Sequence, residues 1–346
     1  MTYFEGEKRL GKDRRNGYIV GGLGLLLLLT AVLSLRLGRY PIPLKDLLGI
    51  LLSRLYPLER FWPDQAETVL LNIRFPRIIL ACLVGCCLSA AGAAYQGVFQ
   101  NPMAAPDILG ASAGAAFGAA LAILNHGSNF AITVSAFFFS LITVSLAYFI
   151  SKRVKGKSIL GLILAGIMIG SLFSAATSFI KLIADPTDQL PAITYWLMGS
   201  LAGARLGDIG FAFIPMTVGL IPLLLIRWRM NVLTMGDDEA KTMGIDANRI
   251  RFIVIICSTL ITAASVSVSG MVGWVGLVIP HVARKIVGNN YTHLMPASLL
   301  CGAGFLLLVD NVSRSLLTTE IPLGILTAFI GAPFFIYLIT RRGESF

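Results

Sequence analysis

Long apolar runs are the feature of this sequence that most restricts its fold. Residues 18–35, 130–150, 159–180 and 211–226 are almost free of charge, and each approaches the roughly 20 apolar residues that cross a bilayer as a helix. Backbone groups in lipid must be satisfied within their own segment, which excludes isolated strands. Hydrophobic residues make up 56% of the 346 residues and charged residues 13%, against about 25% charged residues in soluble domains. The sequence therefore predicts an all-α, polytopic membrane protein.

Polar breaks divide the chain into about ten spans. Their centres lie near Leu26, Leu88, Gly118, Phe139, Gly170, Thr217, Leu260, Gly276, Gly304 and Ile330. An even number of spans places both termini on one side. With the termini inside, 18 of the 28 Lys and Arg residues lie in cytoplasmic segments, as the positive-inside rule requires. The net charge of +10 is thus explained by topology and by attraction to anionic lipid, without nucleic acid as a partner.

One membrane domain, residues 1–346, is predicted, with a cytoplasmic N-terminus at 1–17 and two long connections. The outer connection, 36–77, carries seven of the ten remaining basic residues and an apolar stretch at 44–55 that is typical of an interfacial helix. The inner connection, 227–251, contains a run at 236–244 that predicts a short helix with acids in its first turn and a glycine stop. Asp246 is expected to cap the next helix.

Two segments of this sequence match catalytic motifs in part, but each lacks the surroundings that the motif requires. The G-x-S-x-G pattern around Ser112 lies in a span rich in Ala and Gly and lacks His and Asp partners. Gly156, Lys157 and Ser158 resemble the end of a phosphate loop, but no strand precedes them. The three histidines are far apart and the five cysteines all fall within spans. We therefore expect no catalytic site, no metal site, no bound cofactor and no nucleotide hydrolysis by this chain.

Two polar features remain. Ser171, Ser174, Ser178 and Lys181 follow one face of the fifth span at steps of three, four and three. Their hydroxyls either bond back to their own helix or face a water-filled path, and Lys181 can extend to the membrane surface. Residues 96–106 break the chain with two prolines and three amide side chains, either as a plain turn or as irregular backbone that lines a cavity.

Seven short segments between about residue 74 and residue 340 form a recognisable set: RFPR at 74–77, NPMAAPDILG at 101–110, WLMGS at 196–200, GWVGLVIPHVAR at 273–284, DNVSR at 310–314, EIPLG at 320–324 and GAPFF at 331–335. In their sequence and order they resemble the FecCD-type permease family of binding-protein-dependent ABC importers for ferric siderophores, haem and cobalamin.

The resemblance implies a type II importer permease fold in the cell (inner) membrane of a bacterium or archaeon. It implies a homodimer with the path on its two-fold axis, two cytoplasmic ATPase subunits that bind ATP-Mg, and an extracytoplasmic solute-binding protein. Arg74, Arg77 and Arg314 match positions that face acids of the binding protein, where charge sets encounter rate and register.

Gate and coupling positions carry over in the same way. Asn101 and Met103 fall in an inner gate, with Met103 in place of the more usual leucine, and Ser158 falls near a second gate segment. Ser171, Ser174 and Ser178 would then line the path. The residues expected to couple the permease to its ATPase are Asp237, Asp238, Glu239, Met243 and Gly244.

Two other classes of protein compete with this interpretation. An ion-coupled secondary transporter would need acids within its spans, and only Asp107 and Asp310 approach one. An intramembrane hydrolase built on Ser112 would lack a base. Within the importer class, the motifs do not separate a metal chelate from an oxyanion such as molybdate.

Overall fold

The computed structural model describes residues 3–153 and 159–341, and every regular element in these residues is helical. The helices are α1 Tyr3–Arg36, α2 Leu44–Ser53, α3 Asp64–Thr68, α4 Phe75–Val98, α5 Ala111–Leu124, α6 Asn129–Arg153, α7 Ile159–Ile183, α8 Gln189–Met198, α9 Leu206–Leu233, α10 Asp237–Thr242, α11 Ala247–Ser269, α12 Val275–Val287, α13 Tyr291–Ser315 and α14 Leu323–Arg341. A π-helical turn, Val69–Arg74, joins α3 to α4.

The all-α prediction is confirmed, and each predicted span centre falls in a separate helix. Within the described residues, seven helices are long and apolar enough to cross a membrane. The other three centres, Gly118, Gly276 and Ile330, lie in the shorter helices α5, α12 and α14. The total of ten crossings and the side on which the termini lie therefore stay predictions.

Helix α4 forms the centre of the bundle, and α9, α11, α12 and α13 pack around it. Its small residues allow this arrangement because they let neighbouring backbones approach closely. A Cβ atom at Gly85 would overlap the carbonyl of Gly302, and one at Gly92 would overlap the carbonyl of Gly276. The helices around α4 consequently have little freedom to shift individually.

Helix α5 packs against α6 and α7 through three glycines, Gly110, Gly114 and Gly118, which follow one another at four-residue spacing. A Cβ atom at Gly114 would overlap Thr143, and one at Gly118 would overlap the carbonyl of Ser135. Gly110 has φ +80° and begins α5 close to Gly170. The repeat of glycines is thus explained by close helix packing.

Helix α1 lies at the periphery and packs one face, which includes Leu23 and Leu27, against the bundle. Few residues of its apolar segment are fully buried. Near its start, Nδ2 of Asn16 donates to the carbonyl of Val287 at 2.9 Å. Near its end, Nδ2 of Asn311 donates to Oγ of Ser34 at 2.6 Å. Polar bonds on either side of the apolar segment therefore add to the packing of a helix that is otherwise covered on one face only.

Both long connections contain the predicted short helices. In the outer connection, α2 packs Leu47 and Ile50 against Trp62 and Leu70 and forms a separate apolar cluster. Its position relative to a membrane surface stays a prediction. In the inner connection, α10 begins with its acids, and Oδ1 of Asp246 accepts from the Arg249 amide at the start of α11.

Candidate functional site

A buried ionic cluster joins three segments at one end of the bundle. Nε of Arg77, on α4, donates to both carboxylate oxygens of Asp310, on α13, at 2.8 and 3.0 Å. Its Nη1 donates to both oxygens of Glu320, in the connection to α14, at 2.9 and 2.8 Å. Desolvating such charges is costly and is offset only when geometry and hydrogen bonding are good. Arg77 makes four such contacts through Nε and Nη1, while its buried Nη2 has no hydrogen-bond partner among the described residues.

The neighbouring arginines bind the end of α1. Nη1 of Arg74 donates to the carbonyl of Leu35 at 2.7 Å, and Nη2 of Arg314 donates to the carbonyl of Ser34 at 2.7 Å. The last carbonyls of a helix lack intrahelical donors and carry the negative end of the helix dipole. Two cations therefore cap the C-terminus of α1.

The structure thus brings the three arginines of the docking prediction together, but it buries them. Arg74, Arg77 and Arg314 are 3%, 3% and 6% exposed. A direct contact with a binding protein would require these internal bonds to be exchanged, so the docking role stays a prediction. Glu320, whose side chain is 27% exposed, is the cluster's outermost charge and was not predicted. The sequence contained one signal for this ionic cluster: Asp310 lies inside a predicted span, and an acid in a span needs a partner.

The gate segment, which we define as residues 99–110, connects α4 to α5 without regular structure. Oδ1 of Asn101 accepts from the Met103 amide at 2.8 Å and forms a tight turn, and the Met103 side chain is half-exposed. Nε2 of His281, on α12, donates to the carbonyl of Pro102 at 2.9 Å. The turn is therefore held against α12, and the predicted gate residue projects from it.

The other predicted path residues lie apart from this segment. Ser158 lies outside the described residues. Ser171, Ser174 and Ser178 are exposed along one face of α7, and Oγ of Ser171 and of Ser178 donate to the carbonyls four residues earlier at 2.8 and 3.0 Å. Both interpretations of the stripe are therefore compatible with this helix, because its hydroxyls bond back and also remain accessible.

Helix α10 presents its acids on the surface. Asp238 and Glu239 are exposed, whereas Asp237 pairs with Arg251 of α11 and Ala240 is buried. Gly244 has φ +73°, a conformation that glycine adopts without steric cost. The exposed Met243 extends the same surface.

Two cavities lie within the bundle, one at the gate segment and one between four of the helices. One of about 250 Å³ adjoins the gate segment and is lined by Asp107, Ser112 and Trp274 among others. The other, of about 610 Å³, lies between α6, α8, α9 and α11 and includes Tyr195 and Arg205 in its wall. Across residues 3–153 and 159–341, no three His, Cys, Asp or Glu residues gather as a metal site would require.

A loop carboxylate between α7 and α8 has a shifted pKa. Asp185 accepts from the hydroxyl and amide of Thr187, at 2.6 and 2.8 Å, and from the amide of Asp188 at 3.0 Å. These bonds, that of the Thr187 hydroxyl foremost, favour the charged form and lower the pKa of Asp185 below its usual range. The ionised carboxylate therefore orders the start of α8.

A bundle of apolar helices around a close-packed centre, with an irregular segment beside a cavity and the polar helix α10, is typical of multi-pass transport proteins of the membrane. The chain belongs to the FecCD transport family, whose model matches residues 26–341. It is accordingly an ABC importer permease and a multi-pass protein of the inner membrane.

Individual relatives agree on the class and differ in cargo. The chain is 41% identical to the molybdate import system permease of Haemophilus influenzae, over 94% of this chain and 97% of that protein. It is 44% identical to an iron chelatin transport system permease of Helicobacter pylori, over 79% and 82% of the two chains. A solved metal-chelate type ABC transporter in an inward-facing conformation has 39% identity and a TM-score of 0.84, covering 94% of this chain and 99% of its own.

Proposed function

We propose that this chain is the membrane subunit through which an ATP-driven importer moves a metal chelate delivered by a solute-binding protein. Membership of the FecCD family, matched over residues 26–341, is the observation that carries this proposal. The chain binds no cofactor of its own, and ATP-Mg is bound and hydrolysed by separate cytoplasmic ATPase subunits. The iron chelatin relative supports a ferric siderophore as cargo, and haem and cobalamin belong to the same class.

Molybdate is the second candidate cargo. The Haemophilus influenzae molybdate permease matches almost the whole chain at 41% identity, which favours an oxyanion as a specific alternative. The two cargoes differ strongly in size and charge. The binding protein that delivers them would account for most of the selectivity, because it meets the free solute first.

A second copy of this chain completes the proposed path. Helices α7 and α14 leave much of their apolar surface uncovered, including Met168 and Leu172 on α7 and Phe329 on α14. Ser171, Ser174 and Ser178 would then face the two-fold axis from both copies and line a hydrated path. With both termini cytoplasmic, α10 would face the ATPase subunits.

An ion-coupled carrier is less well supported. Asp310 lies within a candidate span, but its carboxylate is fully buried and bound by Arg77. A carboxylate that exchanges protons or Na⁺ with solvent needs access and a vacant ligand position. This acid instead contributes to the architecture of the cluster.

Partner docking is proposed for the outer end of the bundle. Glu320 occupies the Nη1 edge of Arg77, so an acidic side chain of the binding protein would have to replace it. The same cluster therefore sets the shape of this surface before any partner arrives.

The test is ATP hydrolysis by the reconstituted transporter. The chain is assembled in liposomes with its ATPase and its binding protein, and haem, a ferric siderophore, cobalamin and molybdate are added in turn. Stimulation by a chelate supports the first proposal, and stimulation by molybdate alone supports the second. Failure to assemble with any ATPase would refute both.

A further inference from the structure

The gate segment is attached to two different parts of the bundle. On one side, Nε2 of Gln96, in the last turn of α4 just before the segment, donates to the carbonyl of Leu277 at 3.3 Å, and His281 binds the carbonyl of Pro102 within the segment; both bonds lead to α12. On the other side, Nε2 of Gln100 donates to the carbonyl of Leu233 at 2.7 Å. Leu233 is the last residue of α9, so Gln100 alone among these three leads away from α12.

The acceptor of Gln100 lies directly before the cytoplasmic helix. Three residues separate Leu233 from Asp237, where α10 begins. The carbonyls in the last turn of a helix have no intrahelical donor and are available to a side chain. Leu233 is also 2% exposed, so its position follows that of α9. The position of the Gln100 side chain, through its bond to this carbonyl, therefore depends on the position of the α9–α10 junction.

The backbone of Gln100 supports a role beyond packing. Its φ is +48°, in the left-handed region where a residue other than glycine is disfavoured by about 1 kcal/mol or more. Such conformations persist when the surroundings impose them and occur often at switch segments. Gln100 is exposed rather than part of the core, so apolar burial does not explain why glutamine stands here.

The end of α9 is tied to one further element. Nδ2 of Asn231 donates to Oδ1 of Asn290 at 2.9 Å, and Oδ1 of Asn231 accepts from the Tyr291 amide at 2.7 Å. These bonds join α9 to the first turn of α13. The last turn of α9 is thus a junction at which α10, α13 and the gate segment meet.

We propose that Gln100 is a positioning residue that transmits displacement of the α9–α10 junction to the gate segment. The inference rests on the proposed function, in which an ATPase moves α10. When the junction shifts, the Gln100 bond pulls residues 99–103 relative to their attachment on α12. Met103 lies three residues further along the same turn and changes position with it. Gln100 touches neither cargo nor nucleotide in this scheme.

Three variants test the donor bond, and a fourth serves as the control. Gln100→Glu keeps the length and removes the donor, Gln100→Gly removes the side chain and accepts the positive φ, and Gln100→Lys restores a donor. The matched control is Asn125→Ala, because Nδ2 of Asn125 donates to the carbonyl of Leu121 at the end of α5, also at 2.7 Å. That bond lies at the opposite end of α5 from the gate segment.

The experiment measures uptake per ATP hydrolysed by the full transporter in liposomes, with radiolabelled ferric siderophore or molybdate as the cargo. Loss of one such hydrogen bond corresponds to a factor of about two to ten, so uptake per ATP should fall by that factor in Gln100→Glu and Gln100→Gly. Gln100→Lys should recover most of it, and Asn125→Ala should match the wild type. ATP hydrolysis itself should change less than about twofold.

Hydrogen exchange is a second measurement. Its response to ATP-Mg would be the same in wild type and variant if Gln100 only stabilised the fold. Adding ATP-Mg should change exchange at both 99–110 and 237–242 in the wild type, but only at 237–242 in Gln100→Glu. The proposal would be overturned if Gln100→Glu and Gln100→Gly kept the wild-type uptake per ATP. It would also be overturned if ATP-Mg changed exchange at 99–110 in Gln100→Glu as it does in the wild type. A wild-type transporter without ATP-dependent uptake would instead refute the proposed function and the inference together.

Discussion

Replacing Asp310 with asparagine tests whether the ionic cluster holds the bundle together. Asp310 is fully buried and accepts two bonds from Nε of Arg77. Removing one member of a buried pair costs roughly 3–5 kcal/mol, because the other charge stays buried. Glu320 still binds Nη1 of Arg77, which places the expected loss near the lower end, about 3 kcal/mol.

The free energy of unfolding is measured by SDS titration in mixed micelles. Arg54→Ala serves as the control, because Arg54 pairs with Glu67 at 3.1 Å while its own side chain is 62% exposed, and such pairs contribute at most about 1 kcal/mol. Adding Arg77→Gln to Asp310→Asn should recover part of the loss, since the buried charge is then removed. An Asp310→Asn loss no larger than that of Arg54→Ala would contradict the argument.

Three further predictions concern the centre, a loop and the inner helix. Gly92→Ala should destabilise the protein by about 1–3 kcal/mol, because its Cβ would overlap the carbonyl of Gly276; unchanged SDS unfolding would count against close packing there. The lowered pKa of Asp185 means that its stabilisation of the loop is present above the usual carboxyl pKa and is lost as pH falls through the folded pKa. The protection factor of the Thr187 amide, which is its exchange corrected for the intrinsic pH dependence, should therefore fall on acidification in the wild type and stay low at every pH in Asp185→Ala; identical pH profiles would refute the assignment. Gly244→Ala should uncouple ATP hydrolysis from uptake, because alanine is strained at φ +73°, and fully coupled transport would exclude a role for this turn.

The helical class and several short elements were predictable because local rules determine them. Apolar length and the need to satisfy backbone groups in lipid predict helices without tertiary information. The acids of 237–239 and the capping side chain of Asp246 likewise predict α10 and the start of α11 from neighbouring residues alone.

The ionic cluster was not predictable in the same way. Arg77 and its acceptors Asp310 and Glu320 are separated by 233 and 243 residues, so no local pattern joins them. The family resemblance placed Arg77 at a docking surface, whereas the structure buries it. The Gln100 bond to Leu233 spans 133 residues and was missed for the same reason. Helix α8 has ten residues with a proline in its first turn, too few and too irregular for periodicity to predict it.

The two arginine caps on α1 impose an order on the maturation of the chain. Arg74 lies 39 residues after the carbonyl of Leu35 that it binds, whereas Arg314 lies 280 residues after that of Ser34. At a synthesis rate of about 5–20 residues per second, the second cap reaches α1 roughly 14 to 56 s after the first helix has left the ribosome. During that interval the first helix depends on Arg74 and on lipid for its position. Final fixing of the N-terminal helix is thus one of the last events in the biogenesis of the permease.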